Sequence, residues 1–132
     1  MKDLLKENNL KITEVRLAIL NLLSQSKSPI DAKTLYDLLQ KLNIRTDRAT
    51  VYRTISAFLK AGVIRQIDFS EGKARYELSS LPHHHHLVCD SCGTIDELIL
   101  EEERLIEEAR EKTDFKIENH SLEFFGLCAA CQ

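Results

Sequence analysis

The sequence predicts an α+β chain built in two parts. Three observations carry this. Residues 1–78 contain three stretches of helical apolar spacing followed by an alternating stretch broken by a turn. Residues 79–132 contain a run of four histidines leading into one Cys-x-x-Cys pair, with a second such pair near residue 130. The charge changes sign at the junction: residues 1–76 carry 14 Lys and Arg against 8 Asp and Glu, whereas residues 77–132 carry 4 against 13. The net charge of -3 hides this swing, which points to two tasks in one chain. The division expected is therefore 1–78 and 79–132.

The first helix begins after Thr13, a good N-cap, and places Val15, Ala18, Ile19, Leu22 and Leu23 on one face. The second begins after Asp31, with Ile30 and Leu35 arranged as a hydrophobic staple and Ala32, Leu35, Leu39 and Leu42 on the buried stripe. The third follows Asp47. Its apolar stripe is Val51, Ile55, Phe58 and Leu59, and Gly62 is placed to stop it in a left-handed conformation. "VIRQIDF", the turn "SEGK" and "ARYEL" then read as a hairpin, because Ala74, Tyr76 and Leu78 alternate with Arg75 and Glu77.

Three helices and a basic hairpin, in that order, make a winged helix-turn-helix. The third helix turns Ala49, Arg53, Ser56 and Lys60 away from its apolar stripe, with Tyr52 on the flank. Small, hydroxyl and basic residues on one face suit a DNA major groove. Arg53 can take a guanine edge, and the hydroxyls of Thr50 and Tyr52 can reach bases or phosphates beside the small Ala49. Arg16, Arg48, Arg65, Lys73 and Arg75 are candidates for the phosphate backbone. The competing explanation is a merely solvated helical face; the order of the elements favours DNA.

The chain has no run of about 18 apolar residues, which argues against a membrane span. Its start, "MKDLLKENNLKI", lacks the apolar segment of a secretory leader, so a cytoplasmic location is expected. In that compartment four cysteines in two pairs indicate metal or redox chemistry rather than a disulfide framework. No H-E-x-x-H, nucleophile elbow or thioredoxin-like βαβ pattern is present, so neither an enzyme nor a small-molecule substrate is expected.

Cys89-x-x-Cys92 and Cys128-x-x-Cys131 are two hooks that can each offer two thiolates to one ion. Four thiolates make a closed tetrahedral zinc site that contributes directly to folding. A single pair would leave a redox dithiol open, and two pairs favour structural zinc. The histidines raise a separate question. If residues 83–86 are extended, His84 and His86 share one face and His83 and His85 the other, so the run forms two overlapping half-sites. Glu77 and Glu97 can complete the first. The acidic helix "LILEEERLIEEAREK" and His120 can complete the second, with Glu103 as its carboxylate and Glu101 and Glu102 read as solvated surface. Imidazole and carboxylate ligands together suit iron, manganese, zinc or nickel.

The motifs "ATVYRT", "HHHHLVCDSCG", "NHS" and "CAAC", in this order, resemble those of the ferric uptake regulator (Fur) family, bacterial metal-dependent repressors. "KITEVRLAIL" is similar to the family's first DNA-binding helix and "EGKARYEL" to its wing. The resemblance implies a homodimer whose N-terminal winged helices bind a palindromic operator and whose C-terminal α/β domains, each with structural zinc, dimerise. It implies structural zinc at Cys89, Cys92, Cys128 and Cys131, a regulatory site at Glu77, His84, His86 and Glu97, and an additional site at His83, His85, Glu103 and His120. His85 stands where the family usually has aspartate. It also brings Tyr52 and Arg53 to DNA. One departure is notable: the family's regulatory site usually takes a histidine from just before the second helix of the turn motif, and Pro29 stands at or beside that position here.

The function expected is a metal-responsive, sequence-specific repressor of metal-homeostasis genes, with zinc as the structural ion and Fe(II), Mn(II) or Zn(II) as the regulatory one. Other readings are a peroxide- or zinc-sensing branch of the same family, or a cytosolic metal-binding or redox protein that does not bind DNA.

Overall fold

The computed structural model describes all residues, 1–132, and the chain divides into two compact units, Met1–Leu81 and Pro82–Gln132. The first contains helices α1 (Lys2–Glu7), α2 (Glu14–Gln25), α3 (Ala32–Lys41) and α4 (Arg48–Lys60), and strands β1 (Ile30–Asp31), β2 (Ile64–Asp68) and β3 (Ala74–Leu78). The second contains β4 (His85–Cys89), β5 (Ile95–Leu98), α5 (Glu103–Glu111), β6 (Glu123–Gly126) and a short 3-10 turn at Ala129–Cys131.

Three of the four helices of the first unit start at side-chain caps. Thr13 Oγ1 accepts from Arg16 N at 3.2 Å, Asp31 Oδ1 from Thr34 N at 3.0 Å, and Asp47 Oδ1 from Thr50 N at 2.7 Å. Each cap satisfies an amide that the first helical turn leaves without a partner. Helix α4 ends where Gly62 takes φ +72 and Val63 N donates to the Phe58 carbonyl at 2.9 Å. The stop buries Val63 beside Phe58 in a core that also contains Leu5, Ile19, Leu20, Leu23, Leu35, Leu39, Val51, Ile55, Tyr76 and Leu78. Helix α1, which the apolar spacing does not announce, sends Leu5 into this core.

The hairpin β2–β3 and the two-residue β1 form an antiparallel sheet of order β1-β3-β2. Arg65 stands opposite Glu77, and Ile67 and Asp31 both stand opposite Arg75. Tyr76 and Leu78 face the core, which leaves Arg75 and Glu77 on the other face. Helices α2–α4 with this sheet make the expected winged helix.

The second unit is built differently. Its sheet has the order β5-β4-β6, with β4 antiparallel to β5 and parallel to β6. Its only buried apolar residues are Cys89 and Ile95, while Leu87, Ile99, Leu105, Phe115, Phe124, Phe125 and Leu127 are exposed. A unit this small with so little core needs a further constraint to hold its fold. Helix α5 is shorter than the acidic stretch suggests. Leu98 belongs to β5, and Glu102 adopts φ -114 and ψ 5, so helical geometry starts only at Glu103.

Candidate metal centres

The four cysteines converge. Their Sγ atoms all lie within 4.8 Å of one another, and Cys92 Sγ is 3.7 Å from Cys128 Sγ. A tetrahedral zinc with bonds of about 2.3 Å requires sulfur–sulfur edges of about 3.8 Å, so the thiols fit that ion. The first hook is closed by Gly93, whose φ of +75 lets its N–H reach the Cys89 carbonyl at 2.9 Å. Amides from both hooks, Cys128 N at 3.3 Å and Cys92 N at 3.5 Å, point at Cys89 Sγ and pull its pKa down to about 6. Cys131 behaves oppositely. Ser91 favours its thiolate, but hydrogen bonding with Cys128, Cys92 and Cys89 outweighs this and pushes it up to about 12. Four crowded thiols cannot all ionise by themselves, and a divalent cation supplies the missing charge.

The odd-numbered histidines form a second cluster with Glu102 and His120. Glu102 Oε1 lies 2.6 Å from His83 Nε2 and 2.8 Å from His120 Nε2, and Glu102 Oε2 lies 2.7 Å from His85 Nε2. The Leu122 carbonyl, 3.0 Å from His85 Nδ1, accepts that ring proton. The tautomer this fixes leaves a lone pair on Nε2. His85 Nε2 and Glu102 Oε2 are both buried, and neither has a hydrogen-bond partner. Two lone pairs sealed together are unfavourable unless a cation lies between them. Burial raises the Glu102 pKa, but the hydrogen bonds from His83 and His120 outweigh this and bring it below the ordinary carboxylate value. Three imidazole nitrogens and one carboxylate fit a divalent transition metal.

This cluster corrects one expectation. Its carboxylate belongs to Glu102, which was read as solvated surface, and not to Glu103, which is exposed as the first residue of α5. Glu102 stands one residue before the helix, where its backbone turns the side chain back to the histidines.

The even-numbered histidines sit together on the opposite side of the run. His84 Nε2 is 3.1 Å from His86 Nε2, and the Pro82 carbonyl, 2.7 Å from His84 Nδ1, fixes the His84 tautomer with its lone pair on Nε2. Glu97 is the cross-strand partner of His86 and so leaves the same face of the sheet; it is exposed. Glu77, in the first unit, is buried and accepts a hydrogen bond from Arg65 Nε at 2.6 Å. Pro29 is fully buried, and its carbonyl accepts from Arg75 Nη1 at 3.2 Å.

The candidate DNA residues separate into two groups. Ala49, Tyr52, Arg53, Ser56 and Lys60 are exposed along α4; Thr50, half-buried, accepts from Arg53 Nη2 at 3.2 Å. Arg48 lies 5.6 Å from the centre of the Tyr36 ring, a stacked position that preorganises its charge. Arg16 is half-buried and donates to the Lys11 carbonyl at 2.9 Å. On the hairpin, Arg75 is gripped by both oxygens of Glu71, at 2.5 and 3.2 Å, as well as by Pro29, and its side chain is only 16% exposed. Lys73 Nζ reaches Asp31 Oδ2 at 3.2 Å. Charge alone marked these two for the phosphate backbone, but their ion pairs commit them first to the hairpin. Sequence reasoning missed Glu102, the carbonyls of Pro82 and Leu122, and the Asp31 anchor; among them only Glu102 carried a signal, its place in an acidic run.

A winged helix on the same chain as thiolate and imidazole clusters defines a metal-responsive, DNA-binding transcription regulator. Residues 7–125 match the model of the ferric uptake regulator family, and the chain belongs to that family. The ferric uptake regulation protein of Vibrio anguillarum is 40% identical over 130 residues, spanning 95% of this chain and 85% of that protein. The crystal structure of the Vibrio cholerae ferric uptake regulator superposes with a TM-score of 0.83 at 38% identity, covering 96% of this chain and 98% of that one. The Helicobacter pylori ferric uptake regulator, described as having three functional metal-binding sites, superposes at 0.82 with 26% identity, covering 98% and 87%. Family members of this kind are transcription regulators rather than enzymes. No helix of the chain is long and apolar enough to cross a membrane.

Proposed function

We propose that this protein is a homodimeric repressor that grips a palindromic operator when a divalent metal binds at Glu77, His84, His86 and Glu97. The observation that carries the reading is the division of one histidine run into two ligand groups, in one of which His84 Nε2 and His86 Nε2 converge to 3.1 Å. Residues 79–84 alone link β3, which ends one residue after Glu77, to β4. A metal that ties this hinge to the histidine strand restricts the orientation of the winged helix. It favours the DNA-bound arrangement only by binding that arrangement more tightly than the others.

Cys89, Cys92, Cys128 and Cys131 hold structural zinc in this reading. His83, His85, Glu102 and His120 hold an additional ion that secures α5 to the sheet. The regulatory ion is Fe(II), Mn(II) or Zn(II), since mixed imidazole and carboxylate ligands accept all three. Pro29 in place of an N-terminal imidazole weakens the case for the peroxide-sensing branch, which needs an iron-bound histidine there. The H. pylori relative's three metal sites support three in this chain.

The partner is a second copy. Strand β6 is a sheet edge, and Phe124 and Phe125 on it are 40% and 53% exposed beside a groove of about 310 Å³ that Leu87 and Leu127 also line. An edge strand with exposed aromatics is covered well by its own copy. The α4 faces then contact DNA about one helical turn apart, ~34 Å, and the cell compartment is the cytoplasm. Sedimentation of the zinc-loaded protein with and without a Phe125→Lys substitution tests the dimer. A wild-type monomer at micromolar concentration would end this reading of the β6 face.

A further inference from the structure

In the first unit, β2 and β3 set Arg65 directly opposite Glu77, so both side chains leave the same face of the hairpin. Arg65 Nε donates to Glu77 Oε1 at 2.6 Å. The two partners differ in environment: the Glu77 side chain is 5% exposed and that of Arg65 is 37% exposed. A carboxylate so deeply buried is unfavourable as an anion unless a positive charge or several donors accompany it. Arg65 supplies a positive charge from within the hairpin, without any metal.

We propose that Arg65 is a resident cation that competes with the regulatory metal for the Glu77 carboxylate and thereby sets the metal concentration at which the protein responds. The inference rests on the reading of Glu77 as a regulatory ligand. A guanidinium and a divalent ion both seek the same small carboxylate, and their mutual repulsion at that distance disfavours simultaneous direct contact. Arg65 can yield because its guanidinium is already partly solvated and sits on a flexible stem that reaches water without moving the strand.

Two consequences follow. The metal-free state is not left with an orphaned buried anion, so the wing keeps its register while it waits for metal. Metal affinity is lowered by the strength of the charge-assisted bond that must be given up. Partial solvation of Arg65 weakens that bond, so the reduction is about three- to tenfold.

The test is calorimetric titration of full-length, zinc-replete protein with Mn(II), comparing wild type with Arg65→Met, Arg65→Gln and Glu77→Gln. The expected result is that each neutral Arg65 variant binds Mn(II) about three- to tenfold more tightly, while its metal-free form melts at a lower temperature than wild type. Glu77→Gln should lose the same binding step. The two ideas fail separately. If Glu77→Gln keeps wild-type affinity, Glu77 is not a ligand and the regulatory-site assignment falls. If Glu77→Gln loses the step but both neutral Arg65 variants bind no more tightly than wild type, the competition alone is overturned. The paired substitutions keep the result decisive if one of them fails to fold.

Discussion

His85 Nε2 and Glu102 Oε2 face each other at 2.7 Å, both buried and neither hydrogen-bonded. The Leu122 carbonyl fixes the imidazole proton on the far nitrogen, so the pair is arranged for a cation. This leads to a sharp contrast between neighbouring glutamates. Glu102→Gln should weaken metal binding at this centre by about a hundredfold or more, since even outer-shell changes cost up to that much. Glu103→Gln should leave it unchanged. Competition titration with a chromophoric chelator separates the two; equal losses in both variants would count against Glu102 as the ligand.

The second unit buries little apolar surface besides Cys89 and Ile95, so its fold leans on the cysteine cluster. Cys128→Ser should release zinc and with it the cooperative unfolding of this unit, because the binding energy of a structural zinc is folding energy. Zinc content by elemental analysis and thermal melting check this together. A variant that keeps the wild-type melting temperature after losing its zinc would show that the ion is not structural.

Asp31 joins two functions, capping α3 and pairing with Lys73. Burial alone would raise its pKa, but hydrogen bonds from Thr34 and the Lys73 charge lower it from an ordinary 3.8 to about 2. A depressed folded-state value means that the ionised carboxylate stabilises the fold above pH 4 and that this contribution disappears as the pH falls toward 2. It is worth on the order of 2 kcal/mol near neutral pH. Asp31→Asn keeps a competent cap but removes the charge. Its deficit in urea unfolding should therefore be present at pH 7 and clearly smaller at pH 3. A deficit independent of pH would mean that the charge contributes nothing.

On α4, Arg53 is exposed and steadied by Thr50, whereas Arg75 is held by Glu71 and Pro29. Arg53→Ala should weaken operator binding by about 1–3 kcal/mol without lowering the melting temperature. Arg75→Ala should instead destabilise the first unit, its effect on DNA binding following the loss of folded protein. Fluorescence anisotropy at several salt concentrations, beside melting curves, distinguishes them. The assignment of roles is reversed if Arg75→Ala melts like wild type and only Arg53→Ala unfolds.

What the sequence made legible was what is local. Thr13, Asp31 and Asp47 were readable as caps because a cap and its amide lie three residues apart. The two histidine groups were readable because a pleated strand has a period of two. Glu102 was not, since Glu101, Glu102 and Glu103 are chemically alike and the one that turns inward depends on where α5 begins. The partners it meets there are histidines 17 to 19 positions earlier and His120, 18 positions later. Lys73 was legible as a charge but not as a hairpin strut, because its partner Asp31 is 42 residues away in the chain, and of the contacts that hold Arg75 the one to Pro29 spans 46 residues while only Glu71 is a near neighbour.

The central claim is that metal at the even-numbered histidines governs DNA binding. It is tested most directly by titrating zinc-replete protein, freed of loosely held ions, with Fe(II), Mn(II), Zn(II) and Ni(II) while reading operator affinity at fixed salt, for wild type and for a His84→Ala, His86→Ala double variant. The account predicts that at least one of these ions raises wild-type affinity tenfold or more, a coupling of about 1.4 kcal/mol, and that the folded double variant does not respond. A double variant that still responds fully, or a wild type whose affinity no ion changes, would contradict it.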